Sequence, residues 1–398
     1  MKYDITVIGA GIVGLSVGYY LKMERPELSI AIVDKEKEVA FHQTGRNSGV
    51  IHSGIYYKPG SSKAINCRKG YKLMLAFCKK ENIQHEICGK LIVATNKGEE
   101  SKLQDIYDRG LINGLEGLKI LSEAELKKIE PHVTGTKAIH VPQAGIVSYK
   151  QVAEKLKELL QASGVDFYFG NHVRKINRKE GGYLIKSTEN KLSTSFLVNC
   201  AGLYSDKIAK MSGVDLAAKI IPFRGEYYLL KDEKKYLVKN LIYPVPDPAF
   251  PFLGVHFTRR INGMIDAGPN AVLAFKREGY KRLDFKIDEF IESISYKGFL
   301  KVAMKYWKVG AYEMYRSFSK KAFVKALQKL IPEITANDLI VGNSGVRAQL
   351  CDHKGNLVDD FMIKYDQNAV HVINAPSPAA TSSLQIGKTI VDEIAKQL

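Results

Sequence analysis

The clearest hydrophobic pattern lies at the start of the chain. The apolar run Ile5-Thr6-Val7-Ile8 leads into Gly9-Ala10-Gly11-Ile12-Val13-Gly14. A helical apolar stretch follows, and a second β-like run, Ser29 to Val33, ends on Asp34. Strand, glycine turn, helix, strand, acid is the order of a dinucleotide-binding βαβ unit. Gly9 permits the tight turn, Gly11 lets backbone approach a pyrophosphate, and Gly14 lets the helix pack close to the strand. The helix start offers N–H groups and a partial positive charge to phosphates. Asp34, twenty residues past Gly14, is placed for a ribose hydroxyl. Residues 5–21 carry no charge, yet the three glycines and the strand-like start set them apart from a membrane span or a secretory signal.

Helical patterns around Ser62–Lys80 and Lys150–Ala162 alternate with strand-like runs at Lys90–Thr95, Asp166–Phe169 and Ser195–Cys200. Gly181-Gly182 and the Pro-rich stretch 244–251 read as turns. Asn343–Arg347 and Ala369–Leu398 return to strand–loop–helix character. The expected class is α/β with an α+β second domain. A Rossmann-like domain, made of 1–85, 145–218 and 338–398, is interrupted by a mixed-sheet substrate domain, 86–144 and 219–337.

The 398 residues suffice for two domains. Lys plus Arg number 59 against 42 Asp plus Glu, a net charge of +17. Such a balance attracts anionic substrates, anionic lipid or nucleic acid without choosing among them. Five cysteines, an odd number with no CxxC pair, argue against a disulfide framework and a zinc site. They suit a reducing, cytoplasmic setting, and no metal is expected.

Other segments favour FAD over NAD as the dinucleotide. Thr44-Gly45-Arg46-Asn47-Ser48-Gly49-Val50-Ile51-His52-Ser53-Gly54 is a polar, glycine-rich loop able to wrap a diphosphate and reach a flavin ring. Phe196–Gly202, followed by Asp206, runs a strand into a small-residue turn, where backbone passes close to a cofactor. The block Val372–Thr381 opens a helix whose N-terminus can stabilise negative charge on a reduced flavin.

In these segments the chain resembles the D-amino-acid-oxidase-like superfamily of FAD oxidoreductases, and within it the L-2-hydroxyglutarate dehydrogenase/oxidase family. The resemblance runs nearly end to end. Its carriers are His42–Tyr57, Pro222–Tyr228, Leu253–Thr258, Ala267–Val272, Gly345–Gln349 and Ala375–Thr381. Arg46 departs from it, standing where close members carry histidine. The resemblance implies FAD-dependent oxidation of L-2-hydroxyglutarate to 2-oxoglutarate. It implies cofactor contacts at Gly9, Gly11, Ile12, Val13, Gly14, Asp34, Lys35, Thr44, Arg46, Asn47, Ser48, Gly49 and His52. Val173, Ala201, Gly202, Gly345, Arg347, Pro378, Ala379, Ala380 and Thr381 complete that set.

Oxidising a 2-hydroxy acid moves a hydride to the flavin while a base takes the hydroxyl proton. Of nine histidines, His52 and His256 lie in motif context. His256, in the substrate domain, is the first choice of base and His52 the alternative, with His52, in the flavin loop, also placed to touch the ring. Carboxylate recognition calls for arginine. Arg347 is the candidate for the α-carboxylate and Arg224 for that group or the distal carboxylate, with Tyr228, Tyr243 and Asn270 lining the pocket. No second GxGxxG, redox CxxC or iron–sulfur spacing is present, so electrons leave to oxygen, a quinone or another diffusible acceptor.

Between Ile291 and Ile331, Lys297, Lys301, Lys305 and Lys308 recur at helical spacing, as do Arg316, Lys320 and Lys325. Phe299, Val302, Met304, Tyr306, Trp307 and Val309 lie among the first set. A basic amphipathic helix resting on the anionic inner face of the cell membrane fits this pattern, and so does a lysine face over a core-facing stripe. Rival functions are an amino-acid or glycine oxidase, a glycerol-3-phosphate dehydrogenase, a nucleic-acid-binding flavoprotein, and a flavin-binding protein without catalysis. No RNA-binding motif accompanies the charge, so no specific nucleic acid is expected.

Overall fold

Backbone hydrogen bonding carries the predicted βαβ unit into three dimensions. A computed structural model describes residues 1–246 and 254–397. Leu253, the 247–251 part of the expected turn, and Leu398 lie outside the described residues. Strand β1 (Lys2–Ile8), helix α1 (Ile12–Glu24) and strand β2 (Ile30–Val33) follow in order. The two strands pair in parallel from Ile5↔Ile30 to Ile8↔Val33. Their alternate apolar residues are buried on both faces, as a sheet covered by helices on each side requires.

Among the described residues the strands form three sheets. In the first, β1 sits between β2 and Lys191–Asn199, and Ala369–Asn374 pairs with the latter in parallel. A hairpin, Val173–Lys179 with Gly182–Ser187, extends one side, its turn at the predicted Gly181-Gly182. The second is a mixed sheet of nine strands, whose longest ladder joins Ala218–Leu230 to Leu339–Asp352. A small third sheet ties Val50–Ile51 to Gly145–Val147 and His85–Glu86. The predicted helices are found at Ser62–Lys80 and Tyr149–Ala162. Leu339–Asp352 is where the architecture differs from the sequence reading. Assigned to the dinucleotide-binding part, it is a strand of the second sheet, held by pairing from Leu230↔Leu339 to Ala218↔Asp352.

Two glycines fix how near strand and helix come. Gly9 has φ +109°, and a Cβ there would lie 2.3 Å from the Cys200 carbonyl oxygen. A Cβ on Gly14 would lie 2.1 Å from the Gly9 carbonyl oxygen. Backbone cannot yield as a side chain does. Gly18 on the same helix faces only the methyl groups of Ile32 and Leu160, at 3.2 Å. Gly14→Ala is therefore expected to cost at least about 2 kcal/mol and Gly18→Ala clearly less, as read from thermal melts of the two variants. A Gly14→Ala protein that melts with the wild type would remove this approach as a determinant of stability.

Candidate active site

A cleft of about 960 Å³ is lined by residues of both large sheets. At one end stands the glycine turn. Helix α1 has Gly11 as its N-cap, which supplies no side chain, and Thr44 Oγ1 accepts the Ile12 N–H at 3.0 Å. Asp34 is engaged locally: its carboxylate accepts the Ala10 N–H at 2.7 Å and the Glu36 N–H at 2.8 Å. It thus braces the turn from the end of β2, while burial pushes its carboxyl up from the ordinary aspartate value. The helix Ala379–Ile394 also begins at the cleft with no side-chain cap. Two helix N-termini therefore present backbone N–H groups and positive partial charge to one cavity.

Of the residues expected at a cofactor, Gly9, Gly11, Ile12, Val13, Asp34, Lys35, Thr44, Arg46, Asn47, Ser48, His52, Val173, Ala201, Gly202, Gly345, Arg347, Pro378, Ala379 and Ala380 line the cleft. Gly14, Gly49 and Thr381 stand behind it. Gly14 backs onto Gly9, and Gly49 approaches the Val147 carbonyl. Thr381 Oγ1 accepts the His52 N–H at 3.1 Å and bonds the Tyr149 hydroxyl at 2.7 Å. Its hydroxyl is spent on holding the His52 backbone.

The far end carries the residues expected at a substrate, in part. Arg347, Tyr243, His52 and His256 line the cleft there. Arg224, Tyr228 and Asn270 do not. The ladder explains why. Phe223 stands opposite Arg347, and Gly225 opposite Gly345, so alternation sends Arg224 and Glu226 to the other face. There Arg224 is buried, its guanidinium 2.9 Å from Glu226 and bonded to the Lys281 carbonyl. Asn270 donates to Glu226 Oε2 and accepts its N–H, and only its backbone carbonyl reaches toward Arg347, at 3.4 Å. Tyr228 packs edge-on against Phe323 at 4.9 Å. Gly225 and Tyr227 line the cleft in their place, and a Cβ on Gly225 would crowd the Arg347 guanidinium at 3.1 Å.

His256 is the more constrained of the two histidines. Its Nδ1 lies 2.8 Å from the Gly254 carbonyl, which must accept a proton from it, leaving Nε2 as the acceptor. Its ring stacks on Tyr243 at 3.8 Å. Burial, reinforced by the charges of Lys90 and Arg347, pulls it down to about 3, so the ring is neutral. Burial also holds His52 well below its ordinary value, with Lys90 and His256 adding to the effect. Its Nε2 lies 3.4 Å from Ser377 Oγ. A neutral imidazole has the chemistry to accept a proton, and an arginine on the same cleft has the chemistry to hold a carboxylate.

Sequence reasoning missed the roof over the glycine-turn end. A segment of the second domain, residues 276–286, crosses the cleft there. Arg277 forks onto Asp206 at 2.6 and 2.9 Å. Glu278 reaches Lys35 at 2.7 Å and His42 at 3.0 Å, and Glu36 meets the same pair at 2.5 and 2.9 Å. The Tyr280 hydroxyl bonds His42 at 2.5 Å, and the Arg46 guanidinium lies 4.0 Å from its ring centre. Arg46 thus spends its side chain on this strap. Residues 276–286 carry five basic and two acidic side chains, so nothing in the sequence marked Glu278 as a partner for Lys35.

Comparison with known proteins agrees with this geometry. A family profile described as FAD dependent oxidoreductase matches residues 4–393. The L-2-hydroxyglutarate dehydrogenase of Indibacter alkaliphilus is 56% identical over 98% of this chain and 98% of its own length. The mitochondrial L-2-hydroxyglutarate dehydrogenase of Homo sapiens is 46% identical over 99% of this chain and 89% of its own. Among solved structures, FAD-bound L-alpha-glycerophosphate oxidase from Mycoplasma pneumoniae superposes with a TM-score of 0.81 at 21% identity, over 99% of this chain and 95% of that one. It shares the fold.

His52, His256 and His371 are all buried enough to be held below the ordinary histidine value, the last two to about 3 and about 4. Each takes up a proton on unfolding but resists it when folded. Their contribution to stability is present above the unfolded value of about 6.5 and drains as pH falls toward the folded values. The urea midpoint is expected to be lower at pH 5 than at pH 7.5. An equal or higher midpoint at pH 5 would show that these histidines do not govern stability over this range.

Proposed function

The chain belongs to the family of FAD-dependent oxidoreductases, and on that premise we propose that it oxidises L-2-hydroxyglutarate to 2-oxoglutarate and passes the electrons to a quinone or to oxygen. The observation that carries this reading is the meeting of Arg347 and neutral His256 at one end of a dinucleotide cleft, in a chain so similar to L-2-hydroxyglutarate dehydrogenases. The residues suit FAD: a side chain on Gly9 would strike backbone, and neither helix that starts at the cleft is capped by its own N-cap residue, Gly11 or Pro378. The glycine turn and Lys35 would hold the adenosine and diphosphate portion. His52, Gly345 and the start of Ala379–Ile394 would hold the ring. When bound, FAD supplies the two-electron acceptor.

The chain's own groups do the rest. Arg347 grips the α-carboxylate with its planar fork, and desolvation of that guanidinium strengthens the grip. This fixes the carbinol carbon relative to His256. Nε2 of His256 takes the hydroxyl proton as the hydride departs, and the Gly254 carbonyl steadies the imidazolium that results. Tyr243, stacked on the imidazole, limits its rotation. The test is anaerobic bleaching of the flavin absorbance by L-2-hydroxyglutarate, with D-2-hydroxyglutarate, L-lactate, glycerol 3-phosphate and glycine in parallel. Selective bleaching by L-2-hydroxyglutarate is expected. Bleaching by another compound alone would keep the fold and overturn the substrate.

The proposal extends to an anionic membrane surface in the reducing compartment that five free thiols suit. No helix among the described residues is long and apolar enough to cross a membrane. Helix Lys297–Phe318 splits its faces: Phe299 and Val302 are buried, whereas Met304 is 69% and Trp307 63% exposed. Phe285, Ile287, Ile291 and Leu300 add further exposed apolar surface. Lys297, Lys301, Lys305 and Lys308 have no carboxylate partner among the described residues. Arg316 leaves the basic stripe, because it is buried against Glu313. A bilayer with anionic headgroups would satisfy both features. Trp307 is the only tryptophan, so its fluorescence is expected to shift to the blue with anionic vesicles and not with zwitterionic ones. No shift with either removes the membrane contact.

A further inference from the structure

A dicarboxylate wants two cations, and Arg224, the sequence candidate for the second, is locked onto Glu226 away from the cleft. Of the other cations that line the cleft near Tyr56, Lys63 is held by Asp359 at 2.7 Å and Arg109 by the Tyr56 carbonyl at 2.9 Å, while Lys102, on the same helix as Arg109, is only partly buried and keeps access to water. A different cation lies directly behind the wall. Lys90, on the strand Lys90–Ala94, is 1% exposed. Among the described residues it has no carboxylate within ion-pair distance and no side-chain hydrogen bond. Its Nζ lies 4.2 Å from the ring centre of Tyr243 and 5.2 Å from that of Tyr56. Tyr56, Tyr243 and His256 all line the cleft, and among the described residues the buried Tyr56 hydroxyl has no partner.

A buried ammonium without a counter-charge is costly, and two aromatic faces offset only part of that cost. The nearby thiols Cys67 and Cys88 give no counter-charge, since burial raises both and keeps them neutral. Among the described residues, an ammonium without a counter-charge thus lies 5.2 Å from the ring centre of a tyrosine whose hydroxyl has no partner, and that tyrosine lines the cleft. We propose that Lys90, with the Tyr56 hydroxyl, forms the subsite for the distal carboxylate and makes the cleft select a dicarboxylate over a monocarboxylate. The inference rests on the proposed reaction and names the group that fixes its substrate class. Burial lowers Lys90 to about 8, so most of the population is charged near neutral pH and an arriving anion would favour that form further.

The test pairs binding with turnover in the FAD-loaded protein, for the wild type, Lys90→Met, Lys90→Arg and Tyr56→Phe. Binding is measured by calorimetry with glutarate, which has both carboxylates but no hydroxyl to oxidise, and with pentanoate, which lacks the second carboxylate. Turnover compares L-2-hydroxyglutarate with L-2-hydroxypentanoate, where a methyl replaces the distal carboxylate. In Lys90→Met, affinity for glutarate and kcat/KM for the dicarboxylate are expected to fall about ten- to a hundredfold, with the monocarboxylates nearly unmoved. Lys90→Arg should keep the preference for two carboxylates. Equal losses on both classes, or none, would overturn the subsite and mark Lys90 as structural. If Lys90→Met does not load FAD, Tyr56→Phe decides: a selective loss on glutarate supports the subsite, and an unchanged ratio overturns it. Wild type that binds glutarate through Lys90 yet leaves L-2-hydroxyglutarate unoxidised would sink the reaction and spare the subsite.

Discussion

The ladder between Ala218–Leu230 and Leu339–Asp352 is the joint on which the cleft depends. One strand carries the chain from the first sheet out to the second, and the other carries it home. Their register decides which side chains see the cavity. Gly225 and Tyr227 fall on the cleft side with Arg347, and Arg224, Glu226 and Tyr228 fall on the other. Sliding the pairing by one residue would exchange the two faces and turn the Arg224–Glu226 ion pair toward the cavity instead of Arg347. Backbone hydrogen bonding along the ladder thus chooses which arginine faces the cleft.

What was legible in the sequence follows the same physics. The βαβ unit could be read because steric limits at Gly9 and Gly14 admit no other residue, and the acid at Asp34 comes at a fixed distance. Most of the expected cofactor residues lie on the cleft because loops at strand ends and helix starts have few other places to go. Strand residues were harder. Arg224 looked available because its partner was not counted, yet Glu226 two positions on shares its face. Asn270 went astray for the same acid. The strap that brings Glu278 and Tyr280 over Lys35 and His42 is a long-range contact, and nothing local announces it. Lys90 was invisible for another reason: in an apolar strand a lone lysine gives no sign of which rings it lies against.

The substrate end and the glycine-turn end solve opposite electrostatic problems. Near Lys35 and His42, two glutamates surround the positive groups and satisfy them. Near His256 and Lys90, no acid among the described residues answers the cations, and the histidines are driven neutral. Charge is closed off where a cofactor must be held and left open where an anion must arrive.

The two helices whose N-termini meet at the cleft are far apart in the chain but locked together in space: a Cβ on Gly387, in Ala379–Ile394, would strike Ser16, in α1, at 2.7 Å. Biosynthesis feels this directly. A nascent chain displays its glycine turn 370 residues before Ala379, which with Ala380 makes the opposite wall, has been added. The cofactor cleft is therefore completed only after both large sheets have been synthesised, and loading waits for the last of its two helices rather than for its first.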